Sequence, residues 1–218
     1  MVLRVFEYAY CTCEIGLMYS KGLDPHGDNV LWGSADASLE VPRPYGCRIV
    51  MMNGGAVSYK AKKHTLTAPS TTWAELTEFS NITFDVCACR NLLQELGFVQ
   101  TEPTPVDQDN ESAQCIVNNK GSMGQASRAM SLKVLSSRNR VEDHEVSTNN
   151  TRSGDMISDM GTKALPENPF VRLRDLMNGY SLVKAAYPNK KMSEHVYDGG
   201  SKQKLAVVQA MIVEYPLA

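Results

Sequence analysis

The chain has 218 residues, 43% of them apolar and 21% charged, with a formal net charge of −2, a profile that excludes disordered and collagen-like chains and leaves room for a full core. The slight acidity argues against a protein that grips nucleic acid by net charge alone. No apolar run reaches the roughly 20 residues of a bilayer-spanning helix, and the start, Met1 to Arg4, lacks the apolar core of a secretory signal, so an intracellular protein is expected.

Six cysteines, at 11, 13, 47, 87, 89 and 115, form two C-x-C pairs but no C-x-x-C, which supports neither a zinc framework nor a redox motif. All six are read as reduced, with Cys87 and Cys89 as structural thiols on a helix. The glycosylation patterns at Asn81 and Asn149 are chance matches in an intracellular chain.

Apolar residues at 3, 5, 6, 8, 9 and 10 suggest a short helix or strand packed on something larger. Gly22, Pro25, Gly27 and Asp28 break the chain before Val30-Leu-Trp32, a compact apolar run that reads as a buried strand delivering Asp36 at its end. Segments 46–52 and 56–61 flank Asn53-Gly54-Gly55, a strong hairpin signal, so three antiparallel strands precede the first long helix. That helix is predicted from Thr71 to Leu96, with Ser70 as N-cap, Gly97 as stop and Glu75 in its opening turn. A short strand from Pro105 leads to Asp109, and a helix follows over 111–117. Residues 126–142 read as helix with Leu132, Val134, Leu135 and Val141 as apolar contributors, 146–151 as a weak strand, and 155–165 as a helix bearing Asp159. Beyond Pro166 come a helical pattern over 170–186, a break marked by Lys190-Lys191 and Gly199-Gly200, and an apolar patch over 205–213.

Four carboxylates stand out within local patterns: Gly33-Ser-Ala-Asp36-Ala-Ser38, Ser70-Thr-Thr-Trp-Ala-Glu75-Leu76, Asp109-Asn-Glu-Ser-Ala113 and Ser158-Asp159-Met-Gly-Thr-Lys163. Each acid alone reads as a solvated surface group. Four acids on strand, helix, strand and helix are what a pair of divalent cations requires, because acidic oxygens from separate elements must converge on it. Basic residues cluster at Lys60, Lys62, Lys63 and His64, and again at Arg128, Lys133, Arg138 and Arg140; a solvated face is the plain alternative for either cluster.

These patterns, with Gly54-Gly-Ala-Val-Ser58, Lys62-Lys63, Leu92-Leu-Gln-Glu-Leu-Gly97, Glu102-Pro-Thr-Pro105 and Gly161-Thr-Lys-Ala-Leu165, resemble the ribonuclease H domain of copia-type LTR retrotransposon polyproteins over about residues 3–166. The resemblance implies an α/β, ribonuclease H-like fold, a five-stranded mixed sheet flanked by helices, with a helical C-terminal appendage. Residues 1–24 would be the end of a reverse transcriptase connection, 25–166 the nuclease domain and 167–218 a partly helical tail. It further implies hydrolysis of the RNA strand of RNA/DNA hybrids with two Mg²⁺ ions, or Mn²⁺, beside the reverse transcriptase of the same polyprotein. No membrane partner is expected; the location implied is cytoplasmic, in a virus-like particle, or nuclear.

Carried over by motif, Asp36, Glu75, Asp109 and Asp159 would be the catalytic and metal-binding residues. Asp36 and Asp109 would touch both ions, Glu75 the ion nearer the leaving group and Asp159 the one nearer the attacking water. Lys60, Lys62, Lys63, Arg138 and Arg140 would grip nucleic acid. The chain departs from the family at Arg128-Ala-Met-Ser131 and has no histidine between Val146 and Asp159. A second expectation therefore stays open: an inactive fold kept as a structural or nucleic-acid-binding module.

Overall fold

Asn53 and Gly54 fold the chain back on itself, both with positive φ, 53° and 82°, the mirror-image turn whose twist matches that of the strands it joins. In the computed structural model, which describes residues 2–13, 15–40, 42–122 and 128–186, this turn links the second and third of five strands. The strands are β1 Leu31–Ser38, β2 Tyr45–Met52, β3 Gly55–Lys63, β4 Thr104–Gln108 and β5 Val146–Asn150. The helices are α1 Val2–Cys11, α2 Thr71–Glu95, α3 Glu111–Val117, α4 Arg128–Glu142, α5 Asp159–Thr162, α6 Glu167–Met177 and α7 Tyr180–Ala186.

The sheet runs in the order β3-β2-β1-β4-β5. β1 to β3 are antiparallel, whereas β4 pairs parallel with β1, and β5 parallel with β4. This is the mixed five-stranded sheet with flanking helices that the sequence led us to expect. Alternation along β1 divides the core. Leu31 and Ala35 face α2 and α4 in a cluster with Val50, Phe79, Ile82, Val106 and Val134. Trp32 faces the other side, with Ile49, Met51 and Ile157, where Met160, Leu176 and Met177 close over it.

Ser70 caps α2 by accepting from Trp73 N, and the helix stops before Gly97, as predicted. Three expectations are corrected. The helix predicted over 155–165 is a single 3₁₀ turn, Ser153–Asp155, followed by the four-residue α5. Its apolar residues Met156 and Ile157 are fully buried, but as anchors plugged into the core from irregular backbone. In α4, Leu132 and Leu135 are exposed, and the buried stripe runs instead through Met130, Val134 and Ser137. The helical pattern over 170–186 is two helices, α6 and α7. The apolar patch over 205–213 and the break before it lie outside the described residues.

The segments flanking the sheet domain meet each other. Met18 N donates to Asn178 O, Gly16 N to the Tyr180 hydroxyl, and the Tyr8 and Phe170 rings make an edge contact with centroids 5.7 Å apart.

Candidate metal centre

Parallel pairing sets the geometry. Gly33 of β1 sits opposite Val106 of β4 and Ser34 opposite Asp107, so both strands carry their C-terminal ends to one edge of the sheet. Asp36 lies near the end of β1 and Asp109 directly follows β4. Asp159 arrives from α5, pinned to the sheet by a buried bond between the Ser34 and Ser158 hydroxyls, 2.8 Å, and by Ser158 N donating to Ser34 Oγ. One carboxylate oxygen from each of Asp36, Asp109 and Asp159 comes within 4.8 Å of the others. Three of the four expected acids thus form one cluster.

Glu75 joins it from α2. Its Oε1 accepts from Ala37 N at 3.1 Å, one residue beyond Asp36, while its buried Oε2 has no partner among the described residues. Burial, and then the neighbouring Asp36 charge, push its carboxyl up to about 9. Asp159 is also raised, chiefly by burial, with Lys163 opposing the shift. Negative charge is therefore crowded and poorly solvated here, a condition that a cation relieves.

The residues present fit divalent cations. The donors are hard carboxylate oxygens from four separate segments, and one buried oxygen waits unpaired. A cation already stands among them: Lys163 Nζ is 2.6 Å from Asp159 Oδ1 and 3.8 Å from both Asp36 Oδ1 and Asp109 Oδ2. Thr162 Oγ1 donates to Asp36 Oδ2 from the same short helix. Neither Thr162 nor Lys163 was singled out from the sequence, although the spacing of Asp159 and Lys163, four residues apart, signals a helical ion pair.

The basic residues divide. Lys60, Lys62 and Lys63 line a cleft of about 210 Å³ together with Arg48, His64, Asn81 and Lys133. His64, grouped with the lysines from sequence, is buried against Glu78 Oε2 at 2.8 Å. Arg138 uses its guanidinium on the carbonyls of Ile116 and Gly121, and Arg140 pairs with Glu145 at 2.5 Å. Neither Arg138 nor Arg140 is among the residues that line the lysine cleft.

No protein-family model matches the chain. Among solved structures it is similar to the N-terminal RNase H domain of a Mycobacterium tuberculosis protein fused to maltose binding protein, at 8% identity over 73% of this chain and 99% of that one, TM-score 0.46. RNase H1 from the halophilic archaeon Halobacterium salinarum matches at 11% identity over 65% of this chain and 97% of its own, TM-score 0.42. LC11-RNase H1, isolated from compost by a metagenomic approach, matches in its complex with an RNA/DNA hybrid at 9% identity over 72% and 99%, TM-score 0.42. Fold and site together define a mixed-sheet α/β protein with an acidic cluster at the carboxyl edge of its central strands. Among the described residues no helix is long and apolar enough to cross a membrane.

Proposed function

We propose that the chain is a metal-dependent endonuclease that hydrolyses the RNA strand of RNA/DNA hybrids, the ribonuclease H unit of a copia-type retrotransposon polyprotein. The observation that carries this reading is the convergence of Asp36, Asp109 and Asp159 within 4.8 Å, with Glu75 hydrogen-bonded one residue from Asp36. Two bound Mg²⁺ or Mn²⁺ ions would supply water activation and neutralise charge on the scissile phosphate and leaving oxygen.

The chain's own residues do the rest. Asp36 and Asp109, on adjacent parallel segments, would hold the ions from the sheet edge. Glu75 would complete the ligand set from α2, and Asp159 from α5. The Ser34–Ser158 bond keeps Asp159 in register with β1.

Lys60 and Lys62 pair on the β-ladder with Arg48 and Gly46, two strands from Asp36. Direct ladder pairs share a face, so Lys60 and Lys62 point with Arg48 toward α2, whereas Asp36 points with Cys47 toward the α5 side. Those lysines, with Arg138 and Arg140, are proposed to grip the DNA strand while the 2′-hydroxyls of the RNA identify the strand to be cut. The division at residues 24 and 166, and a reverse transcriptase partner in the same polyprotein within a virus-like particle, belong to the same proposal.

The test is incubation of the chain with a labelled RNA/DNA hybrid in Mg²⁺ and then Mn²⁺, beside Asp109→Asn. RNA cleavage that disappears in the variant is expected. A folded protein that cleaves in neither metal would reject the nuclease and leave the inactive binding module.

A further inference from the structure

Lys163 forms the C-cap of α5, four residues after Asp159. A helical ion pair between those two would be unremarkable on its own. Here the same ammonium also stands 3.8 Å from Asp36 Oδ1 and 3.8 Å from Asp109 Oδ2, and donates to Ser153 Oγ at 2.8 Å. One positive charge therefore faces a carboxylate from β1, one from the end of β4 and one from α5. These are the three carboxylates that converge within 4.8 Å. The ammonium thus stands against all three acids of the cluster, its 2.6 Å contact going to Asp159.

The side chain can also leave. It is 35% exposed, whereas the side chains of Asp36 and Asp159 are 3% and 5% exposed. Its four-carbon stem is flexible, and its charge is a compact point rather than a planar fork that would lock onto one carboxylate. Bound dications would repel the ammonium from the cluster. Its Cα, fixed at the end of α5, would keep it within one side-chain length of the acids, where a backbone phosphate approaching the site is the nearest new anion.

We propose that Lys163 is the resident cation of the metal-free centre, yielding its place to the dications and then turning its ammonium onto a phosphate of the bound nucleic acid. The inference rests on reading the acids as a metal site. It makes the metal-free protein self-neutralised and sets metal entry in competition with an internal charge. In the loaded state Lys163 becomes a substrate-contacting residue.

The test is calorimetric titration of the full chain with Mg²⁺ and with Mn²⁺, without nucleic acid, for the native protein, Lys163→Met and Lys163→Arg. Removing the competitor is expected to tighten metal binding about tenfold in Lys163→Met, as expected for removing one like charge at this range; the arginine variant, whose fork grips its carboxylate, should bind metal no more tightly than the native protein. Melting in EDTA should show Lys163→Met below the native protein, and Lys163→Gln serves where the methionine variant does not fold. In the hybrid assay, Lys163→Met should raise KM more than it lowers kcat, with KM recovering in Lys163→Arg. Equal or weaker metal binding by both neutral variants overturns the resident-cation role while the metal site stands, and an unchanged KM overturns the substrate contact. Absence of metal binding in every protein overturns both this inference and the nuclease reading beneath it.

Discussion

Arg48 of β2 and Glu78 of α2 meet at 2.9 Å with side chains 12% and 1% exposed. The same guanidinium donates through Nε to Asp85 at 2.5 Å, and the second Glu78 oxygen accepts from Asn81 at 3.0 Å while meeting His64 at 2.8 Å. Asn81 in turn accepts from Lys133 of α4 at 2.7 Å. A buried carboxylate with every oxygen engaged thus ties the sheet to two helices and forms the floor of the lysine cleft.

Breaking a buried pair outright costs about 3–5 kcal/mol; without Glu78, Arg48 keeps only Asp85 while His64 and Asn81 lose their buried acceptor. Glu78→Ala is therefore expected to lower stability by about that amount, read from urea unfolding. Glu78→Gln, which keeps the shape and part of the hydrogen bonding, should lose less. The acids at the edge of β1 and β4 are not part of this network, so any folded fraction of Glu78→Gln should still bind Mn²⁺.

Gly46 makes room for the pair. A β-carbon there would lie 2.6 Å from Glu78 Cδ, closer than real contacts allow. Gly46→Ala must displace a saturated buried carboxylate, and overpacking of this kind costs about 1–3 kcal/mol. The expected readout is a lower urea midpoint with an unchanged m-value.

Two glutamates one helical turn apart give the metal-free protein opposite pH limbs. Burial pushes the Glu78 carboxyl up, but hydrogen bonds from His64, Arg48 and Asn81 outweigh it and hold the group below its ordinary 4.5. Its contribution is present above that value and is lost as pH falls through the lowered folded pKa. Glu75 is displaced the other way, from 4.5 to about 9, by burial first and the Asp36 charge second. Its contribution is complete below 4.5 and drains away as pH rises toward 9. Melting in EDTA should therefore weaken at both ends of the range. Glu75→Gln, permanently neutral, should melt above the native protein near the alkaline end, with the gain shrinking toward mildly acidic pH. A gain that is the same at every pH would reject the assignment.

Much of this was legible from short-range signals. The hairpin at Asn53-Gly54 and the cap at Ser70 are set by local backbone chemistry and stand where expected, and the strand expected to end at Asp36 runs two residues past it to Ser38. The four acids were legible as patterns, and three of them converge with the fourth alongside. What stayed hidden depends on the fold. The buried stripe of α4 passes through Ser137, a polar residue that interrupts the apolar pattern and drew attention to the exposed Leu132 and Leu135 instead. Met156 and Ile157 fall within the stretch read as helix, yet their burial comes from plugging into the core ahead of α5. His64 read as one of a basic run until the third dimension set it on Glu78. The approach of Lys163 to Asp36 and Asp109 joins residues more than fifty positions apart, and no local spacing reports it.

Cys47 sits directly across the ladder from Asp36 and is buried. A sulfur so near a cluster of acids could turn the site into a trap for thiophilic ions, since thiolate is the form that binds them. Burial first, then the charges of Glu78 and Asp36, push this thiol up to about 12. In the metal-free protein it stays protonated at neutral pH, and a soft ion would have to displace that proton to bind the sulfur. Burial and the neighbouring carboxylates thus weigh against a sulfur ligand here and leave Cys47 a poor target for alkylating reagents.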